Sequence, residues 1–356
     1  MMRLPTRFEE IDAPWLSQAL QDAHPGVDIR NVRIGETMYG TATKVRVHVD
    51  YASARTGPST LIVKGGFSAH RELMYREYML ESRFYSDLAP RLRGVRVPSS
   101  LYASHDAAQR QAIVLLDDLD TQGATFCRVQ QTLTFEQAAA QLDTLASLHA
   151  QWWQSSELEP GGALDWVDAL DPLPEGVLGT YQRSRLQPEV YAECMTLPRG
   201  AAVSRQFHDR DRMERAMERL RVVDRAGPHC LLHTDPHLGN WYLDRDRKPG
   251  LLDWQSVRKG PWAHDVNYCL VSSVDMLDRR AWERDLLQHY LEALRSRGVT
   301  PPSFDVAWDA YRVQNVYGLY YWLVNPVEFQ VEVNNCAIAA RFAFAAIDHD
   351  TFALLE

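Results

Sequence analysis

The chain has 356 residues, 46% of them hydrophobic and 24% charged, with a formal net charge of −9. That length accommodates two domains of ordinary size, the composition is typical of a soluble globular protein, and the acidic balance argues against nonspecific nucleic-acid binding. No apolar run approaches the roughly 18 residues a membrane helix needs, the first residues carry no apolar signal core, and five scattered cysteines without a C-x-x-C pair argue against a disulfide framework or zinc site and for a reducing cytoplasm.

In chain order, the first informative stretch is Gly35-Glu-Thr-Met-Tyr39-Gly40-Thr-Ala-Thr-Lys, which leads into Val45-Arg-Val47-His-Val49. Apolar and polar residues alternate strictly from Val45 to Val49, the period of a half-buried strand. A break over 54–59 separates it from Leu61-Ile-Val-Lys64, a second strand. A lysine that ends a strand after a glycine-containing hairpin stands where kinases keep the lysine for the α- and β-phosphates. The loop is not G-x-G-x-x-G; Tyr39 and Gly40 are its candidate nucleotide-contacting residues. The bland alternative for Lys64 is a solvated lysine at a strand end.

A helix is predicted over about 69–88, with Leu73, Leu80, Phe84 and Leu88 forming one apolar stripe. Glu77 lies within that stripe and Glu81 one turn further on. Either carboxylate, facing inward, would pair with Lys64 and fix its reach; the alternative is an exposed glutamate paired with an arginine of the same helix. Val95-Arg-Val97-Pro98 and Gln111–Leu116 read as two more strands. The second empties into Asp117-Asp-Leu119-Asp-Thr-Gln-Gly123, a candidate hinge whose backbone groups would suit adenine.

The second half reads as mostly helical. Thr134-Phe-Glu-Gln137 fits a capping box that opens a helix with Leu142, Leu145, His149 and Trp152 on one face; His149 reads as a satisfied core histidine. Residues 155–200, rich in Pro and Gly, read as an insertion and a candidate substrate lid. Helices are predicted over about 279–297 and 304–324. The aromatic residues Tyr311, Tyr317, Tyr320, Tyr321 and Trp322 read first as core packing, and second as a wall for a flat or greasy alcohol.

The strongest signal is His233-Thr-Asp235-Pro-His-Leu-Gly-Asn240, followed by Asp253 in Gly-Leu-Leu-Asp-Trp. The runs Trp241–Leu243 and Leu251-Leu252 flank a turn-rich stretch, the pattern of a β-hairpin, which would bring Asn240 and Asp253 together at its open end. An Asn and an Asp are suitable oxygen ligands for Mg²⁺, which completes its shell with phosphate oxygens and water. Asp235, on the loop entering the hairpin, is placed to accept a proton from a substrate hydroxyl. Each piece alone is commonly a turn or a cap; the ordered set with an upstream lysine carries the argument.

With these residues in view the chain resembles the aminoglycoside phosphotransferase and choline kinase superfamily of small-molecule kinases, and within it the ecdysteroid-kinase-like branch. The matching pieces are Leu61-Ile-Val-Lys64, Glu81 in Glu-Ser-Arg-Phe-Tyr, Val97-Pro98, Leu115-Leu-Asp-Asp-Leu119, Leu145-Ala-Ser-Leu-His-Ala150, the 233–240 loop, Asp253-Trp-Gln255 and Gly260-Pro-Trp-Ala-His-Asp265. They run in family order over about 35–270. The resemblance implies an α+β, protein-kinase-like two-lobe fold. An antiparallel sheet lobe with one key helix would span 1–118, and a larger, mostly helical lobe 119–356. It implies that Lys64 holds the phosphates, that Glu81 rather than Glu77 positions it, and that Asp117 and Leu119 lie at the adenine hinge. It further implies Asp235 as the base, Asn240 and Asp253 as metal ligands, and a structural part for Asp265. Asp117 stands where a Glu is commoner, and Thr234-Asp-Pro where Gly-Asp-Leu is commoner; neither departure removes a reacting group.

The expectation is therefore an ATP- and Mg²⁺-dependent phosphotransferase whose partner is a small-molecule alcohol, with no nucleic acid and no membrane. A nucleotide-binding pseudokinase or scaffold is the alternative, disfavoured because Lys64, Asp235, Asn240 and Asp253 are all present. A protein-directed kinase is disfavoured because no separate activation segment follows Asp253.

Overall fold

The structure is a computed structural model that describes residues 2–52, 57–170 and 177–356. Ala54, Arg55 and Thr56 of the expected break lie outside the described residues, as do 171–176 of the segment expected as a lid. The chain divides into two compact units. The first holds the residues up to Leu92, Arg96–Thr125 and Tyr242–Ser256; the second holds Arg93–Val95, Phe126–Trp241 and Val257–Glu356. The return of 242–256 to the first unit is a long-range event that no linear boundary near residue 118 anticipates.

The first unit begins with helix α1 (Ala13–Ala19), capped by the Asp12 carboxylate on the Trp15 N–H. Strands β1 (Ile29–Met38), β2 (Thr43–Tyr51) and β3 (Thr60–Gly65), helix α2 (Arg71–Arg83), and strands β4 (Ser100–Asp106) and β5 (Gln111–Asp117) follow. The five strands form one antiparallel sheet in the order β1-β2-β3-β5-β4. Side chains alternate across a strand, so Val45, Val47 and Val49 share a face with Leu61 and Val63. That face is buried with Leu16 and Leu20 around α1. The opposite face presents Lys44 and Lys64, which are direct cross-strand partners, and α2 packs there through Tyr78 against Ala42 and Ala112.

Three expectations need correction in this unit. Gly35 lies inside β1 rather than in a loop. A Cβ there would meet His48 Nε2 at 2.9 Å, so the glycine serves a close cross-strand approach. Residues 95–98 form no strand. Pro98 has no N–H to give a ladder; the strand comes later as β4, which was not foreseen. Leu73 is exposed at 64%, while Leu80, Phe84 and Leu88 are buried; α2 ends at Arg83, and a π turn over Phe84–Leu88 carries the buried stripe on from Leu80.

The second unit is mainly helical. Short strand β6 (Thr125–Phe126) spans the junction and leads to α3 (Phe135–Gln151). There the Thr134 side chain accepts from the Gln137 N–H and the Gln137 side chain from the Thr134 N–H, the expected capping box. The described part of 155–200 contains α4 (Val177–Arg185), α5 (Pro188–Thr196) and α6 (Pro198–Ala201). It is anchored by buried Leu158, Trp166 and Arg199, and Arg199 pairs with Glu332, so it is packed structure rather than a structureless flap. Helix α7 (Arg210–Ala226) leads to β7 (His229–Leu232); the chain then passes into the first unit with β8 (Trp241–Leu243) and β9 (Pro249–Leu251) and returns with β10 (Arg258–Pro261). β7 and β10 pair antiparallel. The remaining helices are α8 (Trp262–Ser273), α9 (Met276–Ser296), α10 (Phe304–Val313), α11 (Asn315–Val324), α12 (Glu332–Asp348) and α13 (Thr351–Leu355). The helix expected over 304–324 is two helices meeting at Gln314. Every residue of α8 is buried. No disulfide joins the cysteines, and no described helix is long and apolar enough to cross a membrane.

Candidate active site

In the first unit the sheet, α2 and the returning segment put four charged side chains together. Lys64 is buried on β3, and its ammonium lies 2.7 Å from Glu81 and 2.7 Å from Asp253 Oδ1. Glu81 lies on the face of α2 that covers the sheet, so of the two glutamates it is the one that meets Lys64. It also accepts from the Trp254 N–H at 3.1 Å, while Phe84 and Trp254 stack with ring centroids 4.0 Å apart. One carboxylate thus ties the lysine and the backbone after Asp253 to α2. Asp253 has φ +62°, a left-handed conformation held by these contacts.

A fourth member, Lys44 on β2, was not singled out from sequence. Its Nζ lies 3.2 Å from Asp253 Oδ2. Burial opposes ionisation of the Asp253 carboxyl, but the charges of Lys64 and Lys44 outweigh it and hold the group well below the usual carboxylate range. Burial likewise opposes the Lys64 charge, and Asp253 and Glu81 overcome it, so the lysine stays protonated. Glu81 is pushed up by burial, with the Lys64 charge working against the rise.

The expected nucleotide-loop residues are less committed. Tyr39 is 76% exposed at the β1–β2 tip. At Gly40 a Cβ would find only ordinary contact, 3.7 Å to the Ala42 carbonyl. In the stretch expected as a hinge, the Asp117 N–H donates to the Ser99 carbonyl at 3.0 Å, and the Leu119 carbonyl accepts from Ala124 N–H at 3.1 Å. The buried carboxylate there is Asp118, which accepts from the Arg46 guanidinium at 2.8 and 3.3 Å.

In the second unit the 233–240 loop is clamped by a buried carboxylate. Asp265, at the start of α8, accepts from His233 N–H at 2.7 Å, Thr234 N–H at 2.8 Å and His149 Nε2–H at 3.2 Å. His149 Nδ1 meets the Tyr290 hydroxyl at 2.7 Å, so this histidine is a buried structural link, as expected. His264 Nε2–H donates to the Thr234 carbonyl at 2.9 Å. Thr234 has φ +71°, an outlying conformation for a β-branched residue. The clamp on both sides of Thr234 holds it there and aims the next residue, Asp235. Burial raises the Asp265 pKa, yet its bond to His149 and the charges around it bring the group below its ordinary value.

Asp235 accepts from the Asn240 amide nitrogen at 3.1 Å, and its carbonyl accepts from the same nitrogen at 2.8 Å. Two acceptors on one side fix the amide orientation, so Asn240 Oδ1 faces away from Asp235. His237 Nε2 stands 3.8 Å from Asp235 Oδ2. Burial pushes the Tyr268 hydroxyl well above its ordinary value, and the Asp235 charge beside it adds to the shift. Tyr317 packs on His264 with centroids 4.5 Å apart and on Tyr321 at 4.4 Å; Tyr321 stacks on Tyr181. Of the late aromatic cluster, Tyr311, Tyr320 and Trp322 are core, whereas Tyr317 and Tyr321 are half-buried on one face of α11.

Among the described residues no three His, Cys, Asp or Glu side chains form a metal cage. The first unit offers an ionised carboxylate, Asp253, and the second an amide oxygen, Asn240 Oδ1; each is an oxygen donor of the kind Mg²⁺ takes, and Mg²⁺ seldom sits in an all-protein cage.

The sequence matches the phosphotransferase enzyme family (APH) over residues 55–300. No curated protein matches it significantly. Among solved structures, a spectinomycin phosphotransferase, APH(9)-Ia, in complex with ADP and spectinomycin, superposes with a TM-score of 0.50 at 14% identity, over 96% of this chain and 99% of that one. An ethanolamine kinase from Plasmodium vivax superposes with a TM-score of 0.56 at 10% identity, over 90% of this chain and 83% of that one. At these identities the likeness establishes the two-lobe α+β fold.

Proposed function

We propose that this chain, which belongs to the APH phosphotransferase enzyme family, moves the γ-phosphoryl group of ATP to a hydroxyl of a small molecule. The observation that supports this most is the buried Lys64 ammonium, held 2.7 Å from both Glu81 and Asp253. A charge buried at such cost is retained where a polyanionic ligand needs it.

In this reading Lys64 holds the α- and β-phosphates, and Glu81 fixes its reach. Asn240 and Asp253 would hold Mg²⁺, which when bound neutralises charge on the phosphates. Asp235 accepts the proton of the acceptor hydroxyl and orients its oxygen toward the γ-phosphorus. Asn240 and the Asp265 clamp keep Asp235 in place, so the loop needs little reorganisation during transfer. Tyr39, Gly40, Asp117 and Leu119 are the proposed nucleotide-contacting positions. For the acceptor, half-buried Tyr317, edge-on to His264, and Tyr321 beside it support a flat or apolar alcohol. The resemblance to the ecdysteroid-kinase-like branch points the same way.

The test is Asp235→Asn, assayed with ATP, Mg²⁺ and a panel of amino, sterol-like and antibiotic alcohols. The readouts are ADP release and product mass. Transfer should fall by about 10³-fold or more while nucleotide binding is retained. Transfer at the wild-type rate would remove Asp235 from the role of base.

A further inference from the structure

The loop that carries Asp235 also carries a histidine that the function proposed above does not use. The His237 side chain is only 8% exposed, and its Nδ1 accepts from the Gly239 N–H at 3.0 Å. That nitrogen therefore carries no proton, and because a neutral imidazole has one N–H, the proton sits on Nε2. Gly239 allows the contact, since a Cβ there would meet His237 Cε1 at 2.8 Å. Trp322 packs on the same imidazole with ring planes at 89° and centroids 5.3 Å apart, which holds the ring plane. The tautomer and the direction of the Nε2–H are thus both fixed within the second unit.

His237 Nε2 stands 3.8 Å from Asp235 Oδ2. That separation is too long for a direct hydrogen bond, yet a single oxygen can lie within hydrogen-bond reach of both atoms. The Asp235 side chain is 34% exposed, so an alcohol can approach the pair. A hydroxyl suits two such neighbours, because it accepts from one and donates to the other.

We propose that His237 is a further catalytic residue: its Nε2–H donates to the oxygen of the acceptor hydroxyl while Asp235 Oδ2 accepts that hydroxyl's proton. The N–H engages one lone pair of the oxygen and the carboxylate fixes the O–H, so the other lone pair is left to attack. In the transfer step the O–H bond breaks and its proton passes to Asp235. The oxygen bonds to the γ-phosphorus, the bond from that phosphorus to the bridging oxygen breaks, and ADP leaves with the electron pair. His237 keeps its own proton throughout. This inference rests on the function proposed above, because it takes Asp235 to be the base.

The test uses His237→Asn and His237→Gln, which separate the two nitrogens: an Asn amide can stand in for Nδ1, and a Gln amide for Nε2. Each is assayed for ADP release from MgATP, with water as the acceptor and with the same panel of alcohols, and for MgATP binding by calorimetry. His237→Asn should lose about 10²-fold in transfer, the cost of a poorly oriented reacting group, with MgATP affinity unchanged. His237→Gln keeps a donor and should stay within about tenfold of wild type. Nitrogen NMR of the histidine-labelled wild type should show His237 as the Nε2–H tautomer. Wild-type transfer in His237→Asn, equal losses in the two variants, a matching loss of MgATP binding, or the Nδ1–H tautomer would overturn the inference and leave the function standing. A wild-type chain that releases no ADP with water or with any alcohol of the panel would overturn both.

Discussion

At the scale of single residues, two of the six described non-glycine residues with positive φ, Thr234 and Asp253, lie at the candidate site, and both are fixed by carboxylates. Asp265 satisfies two N–H groups around Thr234, and Glu81 satisfies the one after Asp253. The Asp265 contribution has a pH signature. Its folded pKa lies below its ordinary value of 3.8, so its stabilisation is complete above that value and is lost as pH falls through the depressed one. Urea midpoints measured from about pH 7 to about pH 3 should therefore drop steeply below about pH 4 in the wild type. Asp265→Asn should lose about 2 kcal/mol or more at neutral pH, because buried donors lose their acceptor, and should show a flatter acid limb. Parallel acid limbs for the two proteins would show that this carboxylate does not set the dependence. Much of this scale was readable beforehand: Lys64, Asp235, Asn240 and Asp253 are oxygen and ammonium groups in a recognisable order. Lys44 was not, since a lysine on the polar face of an alternating strand looks like any solvated lysine until its cross-strand partner is known.

At the scale of elements, legibility followed local signals. Val45–Val49 alternates and forms β2, and Thr134 with Gln137 closes the box that starts α3. β4 was missed because all seven of its residues are half-buried, which leaves no alternation to read. The 304–324 segment looked like one helix because the break at Gln314 uses neither Pro nor Gly. Elsewhere a glycine is essential for a reason invisible in sequence. Gly318 sits inside α11, and a Cβ there would meet the Phe342 ring of α12 at 2.2 Å. Gly318→Ala should therefore destabilise the chain by about 1–3 kcal/mol through overpacking, against the small gain that alanine gives an open helix position. A rise in melting temperature would mean that α11 and α12 have slack at this contact.

At the scale of the whole molecule, the order of motifs was legible and their meeting was not. Asp253 follows most of the second unit in sequence, yet it packs with Lys44, 209 residues earlier. Such pairings come from sheet register and from the hairpin of β8 and β9 carrying the chain back, neither of which has a local signature. The same long-range meeting supports the central claim, that Asp253 and Lys64 form a metal–nucleotide site. The most direct measurement is a thermal shift with ATP, with and without Mg²⁺, on wild type and Asp253→Asn. A ligand at 100 times its Kd stabilises the folded state by about 2.7 kcal/mol, enough to raise the melting temperature visibly. The account predicts a Mg²⁺-dependent rise in the wild type that Asp253→Asn loses. No shift with any nucleotide at millimolar concentration, or an equal Mg²⁺-dependent shift in the variant, would contradict it.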